Sequence, residues 1–170
     1  MNYKLIGAIT VILGCGGCGL MMASHYLGNI RLLRNFITVL DYMRCELQYR
    51  ATPLPQLCRT AGEQGSGKVQ RAFLMLADEL DSQISPDVYC CMSGVISRLG
   101  IDYEPMNRLF LELGSSLGKF DITGQIKALE NAREQARELH TQLQNGKENR
   151  LRSYQTLGLC AGAAIAILFV

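Results

Sequence analysis

Charge is excluded from both ends of this chain. Between Leu5 and Leu27 there is no Asp, Glu, Lys or Arg, and from Ser153 to Val170 there is none either. Of the 17 basic residues, 16 lie between Arg31 and Arg152, and so do all 15 acidic ones. A helix of about 20 apolar residues, rising about 1.5 Å per residue, spans the ~30 Å hydrocarbon core of a bilayer. The first run, of 23 residues, meets that length and the second, of 18, just reaches it. The pattern predicts a transmembrane helix over residues 1–27, a polar domain over 28–152 and a second transmembrane helix over 153–170.

The first run has a competing interpretation as a secretory leader. Leu5–Leu13 would be its apolar core, and Gly14-Cys15 resembles the end of a lipoprotein cleavage site, which would put the domain outside the cytoplasm. Leu13 is bulky where a small residue is usual, and the apolar run continues a dozen residues past Cys15, so a membrane span is the preferred reading. Orientation comes from the flanks. Arg31 and Arg34 lie just after the first run, Lys147, Arg150 and Arg152 precede the second, and Lys4 alone lies outside. The positive-inside rule then expects the central domain in the cytoplasm. Both runs carry small residues every four positions: Cys15, Gly19 and Ala23 in one, Gly158, Gly162 and Ala166 in the other. Such stripes let helices approach closely in lipid.

Two whole classes fall away on composition. A net charge of +2 supplies no field for nucleic acid, and 48% hydrophobic residues exclude a disordered chain.

The middle is predicted to be all helical, since alternation of period two never lasts. Leu27, Ile30, Leu33, Ile37 and Leu40, with Phe36, Met43 and Leu47 alongside, extend the first helix to about Arg50. Thr52 is expected as the N-cap of a second helix, with Pro53 at its first position and an end near Gly62. A third runs from about Lys68 to Leu80, burying Val69, Phe73, Leu76 and Leu80. Ser85-Pro86-Asp87 opens a fourth, which carries Val88, Cys91, Val95 and Leu99 inward and stops at Gly100. A fifth, from Glu104-Pro105, presents Met106, Leu109, Phe110 and Leu113. Asp121 caps the sixth and longest, with Ile122, Ile126, Leu129, Ala136, Leu139 and Leu143 on one face, and Asn145-Gly146 is a candidate kink. This is a bundle of about six helices whose first and last members continue into the spans.

Chemical motifs are few. Gly62-Glu63-Gln64-Gly65-Ser66-Gly67-Lys68 fits seven places of a phosphate-binding loop, and a nucleotide-binding protein is the alternative function this offers. Val69 stands where Ser or Thr must hold magnesium, and a helix rather than a strand precedes the loop. Cys15 and Cys18 have C-x-x-C spacing inside an apolar run, and Cys45, Cys58, Cys90 and Cys91 scatter through helices as free thiols. His25 and His140 belong to no nucleophile motif. No catalytic residue, metal or cofactor is expected.

The run Leu113-Gly114-Ser115-Ser116-Leu117-Gly118-Lys119-Phe120-Asp121, with Gln125 beyond it, is distinctive. Two glycines there bracket a turn between the fifth and sixth helices, Leu117 between them plugs the core, and Asp121 caps the sixth helix. Together with Thr52-Pro53-Leu54-Pro55 and Tyr154-Gln155-Thr156-Leu157-Gly158, it resembles the stage III sporulation protein AB family of endospore-forming bacteria. The resemblance covers the whole chain, although the Cys- and Gly-rich first run adds nothing to it. It implies likeness to the inner-membrane platform protein of type II secretion and type IV pilus machines. It further implies a non-enzymatic role in the mother-cell membrane around the forespore. The partners it implies are an AA-type ATPase of the secretion kind, on the cytoplasmic side, and the other membrane proteins of one secretion-like complex.

Overall fold

A computed structural model describes the backbone of residues 2–50, 52–82, 87–119 and 121–169, and the side chains of 21–50, 52–82, 87–119, 121–146 and 156. Six helices occur in order: α1 (Asn2–Arg50), α2 (Leu54–Gln64), α3 (Gly67–Asp81), α4 (Val88–Leu99), α5 (Glu104–Ser116) and α6 (Ile122–Phe169). No strand occurs among the described residues.

The chain divides into two compact units, one of Met1–Ile30 with Gln142–Val170, the other of Arg31–Thr141. In the first, Ala23, Tyr26 and Ile30 are buried, and the Tyr26 hydroxyl donates to the Leu143 carbonyl at 2.5 Å. Met21 and Met22 are exposed there. The side chains of 1–20 and of nearly all residues beyond 146 lie outside the described ones, so most of both predicted spans does too. Among the described residues no helix is long and apolar enough to cross a membrane.

The second unit is a helical bundle built on aromatic contacts. Phe36 of α1 meets Phe110 of α5 edge-on at 4.9 Å between ring centroids, and Phe73 of α3 lies 5.9 Å from Phe110 and 6.3 Å from Phe36. All three are fully buried. Edge-to-face geometry sets positive ring edges against negative faces, so these rings gain beyond the area they bury. Leu33, Leu40 and Met43 of α1, Leu57 of α2, Leu76 of α3, Met92 of α4 and Met106 of α5 are fully buried in the same unit. Two ion pairs tie α1 to α6: Asp41 with Arg133 at 2.6 Å and Arg44 with Glu130 at 3.3 Å. The hydrogen bond to Glu130 is the main cause of a raised Arg44 pKa.

Several local expectations are corrected. Pro53 occupies the cap position of α2, and Thr52 turns away to donate to Glu46 Oε1 at 3.3 Å. The inward face of α4 is Cys91, Met92, Val95 and Ile96, with Val88 and Leu99 half-buried. Leu80 is half-buried as well, its place on α3 taken by Ala72 and Ala77. On α6 the buried stripe is Leu129, Ala132 and Ala136, and Ile122 is exposed. A helix packed against its neighbours buries its small residues where backbones come closest and leaves longer ones at the margins. No break falls at Asn145-Gly146; α6 passes through both.

Candidate functional site

The corner between α5 and α6 gathers the distinctive run. Leu113 and Leu117 are buried, Leu117 completely. Gly114 is not part of the turn. It sits inside α5, where a Cβ would come within 2.9 Å of Met92 Cβ and 3.4 Å of Tyr89 Cα. The residue is therefore a close-approach point between α4 and α5, and any side chain would push the two helices apart. Gly118 is the turn glycine, at φ +79, a left-handed conformation that costs an L-residue about 1–2 kcal/mol. Asp121 Oδ1 then accepts from the Gly124 backbone amide at 3.0 Å, satisfying one of the free donors at the start of α6.

Residues far away in sequence complete the corner. A Cβ on Gly118 would lie 3.3 Å from Val88 Cγ2 and 3.6 Å from Leu54 Cδ2. Asp87 caps α4 by accepting from the Tyr89 amide at 3.3 Å, and Lys119 pairs with the same carboxylate at 3.6 Å. Gln125 and Ile122 share a cleft of about 120 Å³ with Thr52, Leu54, Leu57 and Leu47. The Thr52–Pro55 segment and the Leu113–Gln125 run, some 60 residues apart, thus meet in one place. On its other side the corner opens into a groove of about 280 Å³ between α5 and α6, with Glu112, Lys127 and Asn131 on its walls. Glu112 also accepts from Gln135 Nε2 at 3.0 Å. Sequence reasoning turned Val88 inward but missed Tyr89 and Met92 as packing partners of Gly114. For Met92 the signal was its helical spacing of four from Val88.

The Gly62–Lys68 stretch is the last turn of α2, a two-residue connection at Gly65-Ser66 and the start of α3. A Cβ on Gly62 would meet Phe73 Cβ at 3.2 Å, and one on Gly65 would meet Val39 Cγ2 at 2.9 Å. Gly67 opens α3 at φ +63. Ser66 Oγ accepts from Asn35 Nδ2 at 2.7 Å, and Lys68 Nζ donates to the Gly100 carbonyl at 2.7 Å, so the lysine closes the C-terminus of α4. Val69, at the magnesium position, is fully buried. Glycines, serine and lysine all have architectural work here.

Of the other candidates, Cys58 and Cys91 are buried and Cys45 and Cys90 exposed. Burial alone pushes the Cys58 thiol up to about 12. His25 is exposed and His140 half-buried. Among the described residues no group of three or more His, Cys, Asp or Glu is placed to hold a metal ion. Ala23 is buried in the first unit, while the side chains of Cys15, Gly19, Gly158, Gly162 and Ala166 lie outside the described residues.

The family model of stage III sporulation protein AB matches residues 4–170. The chain belongs to that family. Membership makes it a sporulation protein, and the match takes in both charge-free ends as well as the bundle. A solved structure titled stage III sporulation protein AB (SpoIIIAB) is similar at a TM-score of 0.64 and 17% identity, covering 72% of this chain and 98% of that one. At that identity the likeness shows a shared AB-family fold. Comparison with curated proteins yields no match.

Proposed function

We propose that the protein is a non-enzymatic, membrane-anchored platform of the secretion-like complex that joins mother cell and forespore, and that its helical unit docks the complex's cytoplasmic ATPase. The observation that carries this reading is the family match over residues 4–170, which includes both charge-free runs. Those runs have the length and apolarity of membrane helices, and Arg31 and Arg34 after the first, with Lys147, Arg150 and Arg152 before the second, favour a cytoplasmic domain. Nucleotide-driven motion of the ATPase would reach the membrane through α1 and α6, whose sequences lead from the bundle into the charge-free runs. The small-residue stripes suit packing of those runs against each other or against other membrane proteins of the complex.

Two measurements test this. Full-length protein in detergent is expected to co-purify with the sporulation ATPase, and repeated failure with both partners folded would refute docking. The exposed Cys45 and Cys90 report the side of the membrane. A membrane-impermeant thiol reagent should label them after the mother-cell membrane is permeabilised; labelling in intact cells would put the domain outside.

A further inference from the structure

We propose that Arg31, Arg34, Lys68 and Arg71 form one basic surface that holds anionic phospholipid headgroups, a contact that rests on the membrane-anchored reading above. Arg31 and Arg34 are exposed in the first turn with which α1 enters the helical unit. They lie four and seven positions beyond Leu27, the last residue of the charge-free run, or about 6 and 10 Å along a helix axis. Lys68 and Arg71 lie at the start of α3, far off in sequence, and the fold brings that start to the same stretch of α1. Asn35, beside Arg34, donates to both the side chain and the carbonyl of Ser66, at 2.7 and 3.4 Å.

These cations leave their charge free of carboxylates among the described residues, as the exposed Lys127 and Arg137 of α6 also do, and what sets Arg31 and Arg34 apart is their closeness in sequence to the charge-free run. Arg59 pairs with Asp81 and Asp78, at 2.6 and 3.0 Å, and those hydrogen bonds raise its pKa. Arg98 pairs with Glu79, Arg108 with Glu104 and Arg133 with Asp41. Arg31, Arg34 and Arg71 pair with no carboxylate among the described residues. Lys68 gives one donor to the neutral Gly100 carbonyl and keeps its charge exposed. Glu63, in the last turn of α2, and Asp102, between α4 and α5, are exposed acids and leave the cations in excess. A charge within about 10 Å of an anionic membrane surface is attracted with little screening, whereas the same charge in open solvent gains nothing.

The test uses the full chain in lipid nanodiscs, one set of phosphatidylcholine alone and one containing phosphatidylglycerol, with hydrogen exchange as the readout. Amides of residues 62–72 are expected to exchange several-fold more slowly in the anionic discs, and high salt should remove the difference. Each lost cation weakens such a contact about fivefold, so Arg34→Gln with Arg71→Gln should abolish the protection while Arg34→Lys with Arg71→Lys keeps it. Equal exchange in the two disc types, with the protein inserted in both, would overturn the headgroup contact. Failure to insert into either would overturn the anchored reading instead.

Discussion

Two corners of the bundle are written in nearly the same letters. The α2–α3 corner reads Gly62, Gly65, Ser66, Gly67, Lys68, and the α5–α6 corner reads Gly114, Ser115, Ser116, Gly118, Lys119. One looks like a phosphate loop and the other like a family signature, yet each solves the same packing problem. In both, one glycine lets two elements touch and another supplies a left-handed turn: Gly65 and Gly67 at the first, Gly114 and Gly118 at the second. In both, the lysine ends on a neighbouring helix terminus, Lys68 at the end of α4 and Lys119 at its start. They part in what surrounds them. Beside the α5–α6 corner a cleft and a groove remain open, whereas Gly62 and Gly65 of the first corner are pressed against Phe73 and Val39. Glycine and lysine at fixed spacing are therefore evidence of tight corners first, and of phosphate only where the backbone also forms a cradle.

Substitutions can break this parallel. The largest effect is expected at Gly114, because Met92 Cβ lies at the root of its side chain and cannot swing away. Gly114→Ala should cost about 1–3 kcal/mol in urea unfolding, and more than Gly65→Ala, where the obstacle is a Val39 methyl. A smaller cost for Gly114 than for Gly65 would reverse the comparison. Gly118→Ala should cost about 1–2 kcal/mol from its left-handed backbone. Asp121→Ala should come next at about 1 kcal/mol from a lost cap, and Asp121→Asn should recover most of it.

Smaller effects sharpen the reading of the first corner. Lys68→Ala removes an exposed hydrogen bond and is expected to cost under about 1 kcal/mol. Calorimetric titration of the wild type with ATP should show no binding for that variant to lose; binding abolished by Lys68→Ala would restore the phosphate-loop interpretation. On α2, Cys58 should resist alkylation at pH 8 while Cys45 and Cys90 react, as read by mass spectrometry. Its thiol stays protonated in the folded state from an ordinary 9.0 up to about 12. The folded chain therefore holds the extra proton in that interval, and the stability Cys58 contributes, complete below pH 9, is lost as pH rises toward 12.

Much of the bundle was legible because helix signals are local. The apolar positions of α1 and α5 recur every three or four residues, and Ile30, Leu33, Phe36, Met106, Leu109 and Phe110 are all buried. Asp121 announced its cap because an acid before an apolar run has a nearby amide to accept from, whereas Asp87, expected only as the acid of the Ser85-Pro86-Asp87 start, is itself the cap of α4. Thr52 misled for the same reason in reverse. Its hydroxyl had a second partner, Glu46, six residues back near the end of α1, and the choice between the two partners is not written in the spacing.

What the sequence by itself determined is the helical period, the helix stop at Gly100 and the cap at Asp121, the exclusion of charge from the ends and the family to which the chain belongs. Each depends on residues a few positions apart or on composition along a run. The tertiary structure alone decided why Gly114 and Gly65 must lack side chains, where Lys68 spends its hydrogen bond, and that Thr52–Pro55 meets Gly118 and Gln125. Those are contacts between residues some 20 to 70 positions apart. Close packing admits few arrangements of such pairs, and which one is adopted depends on every helix at once.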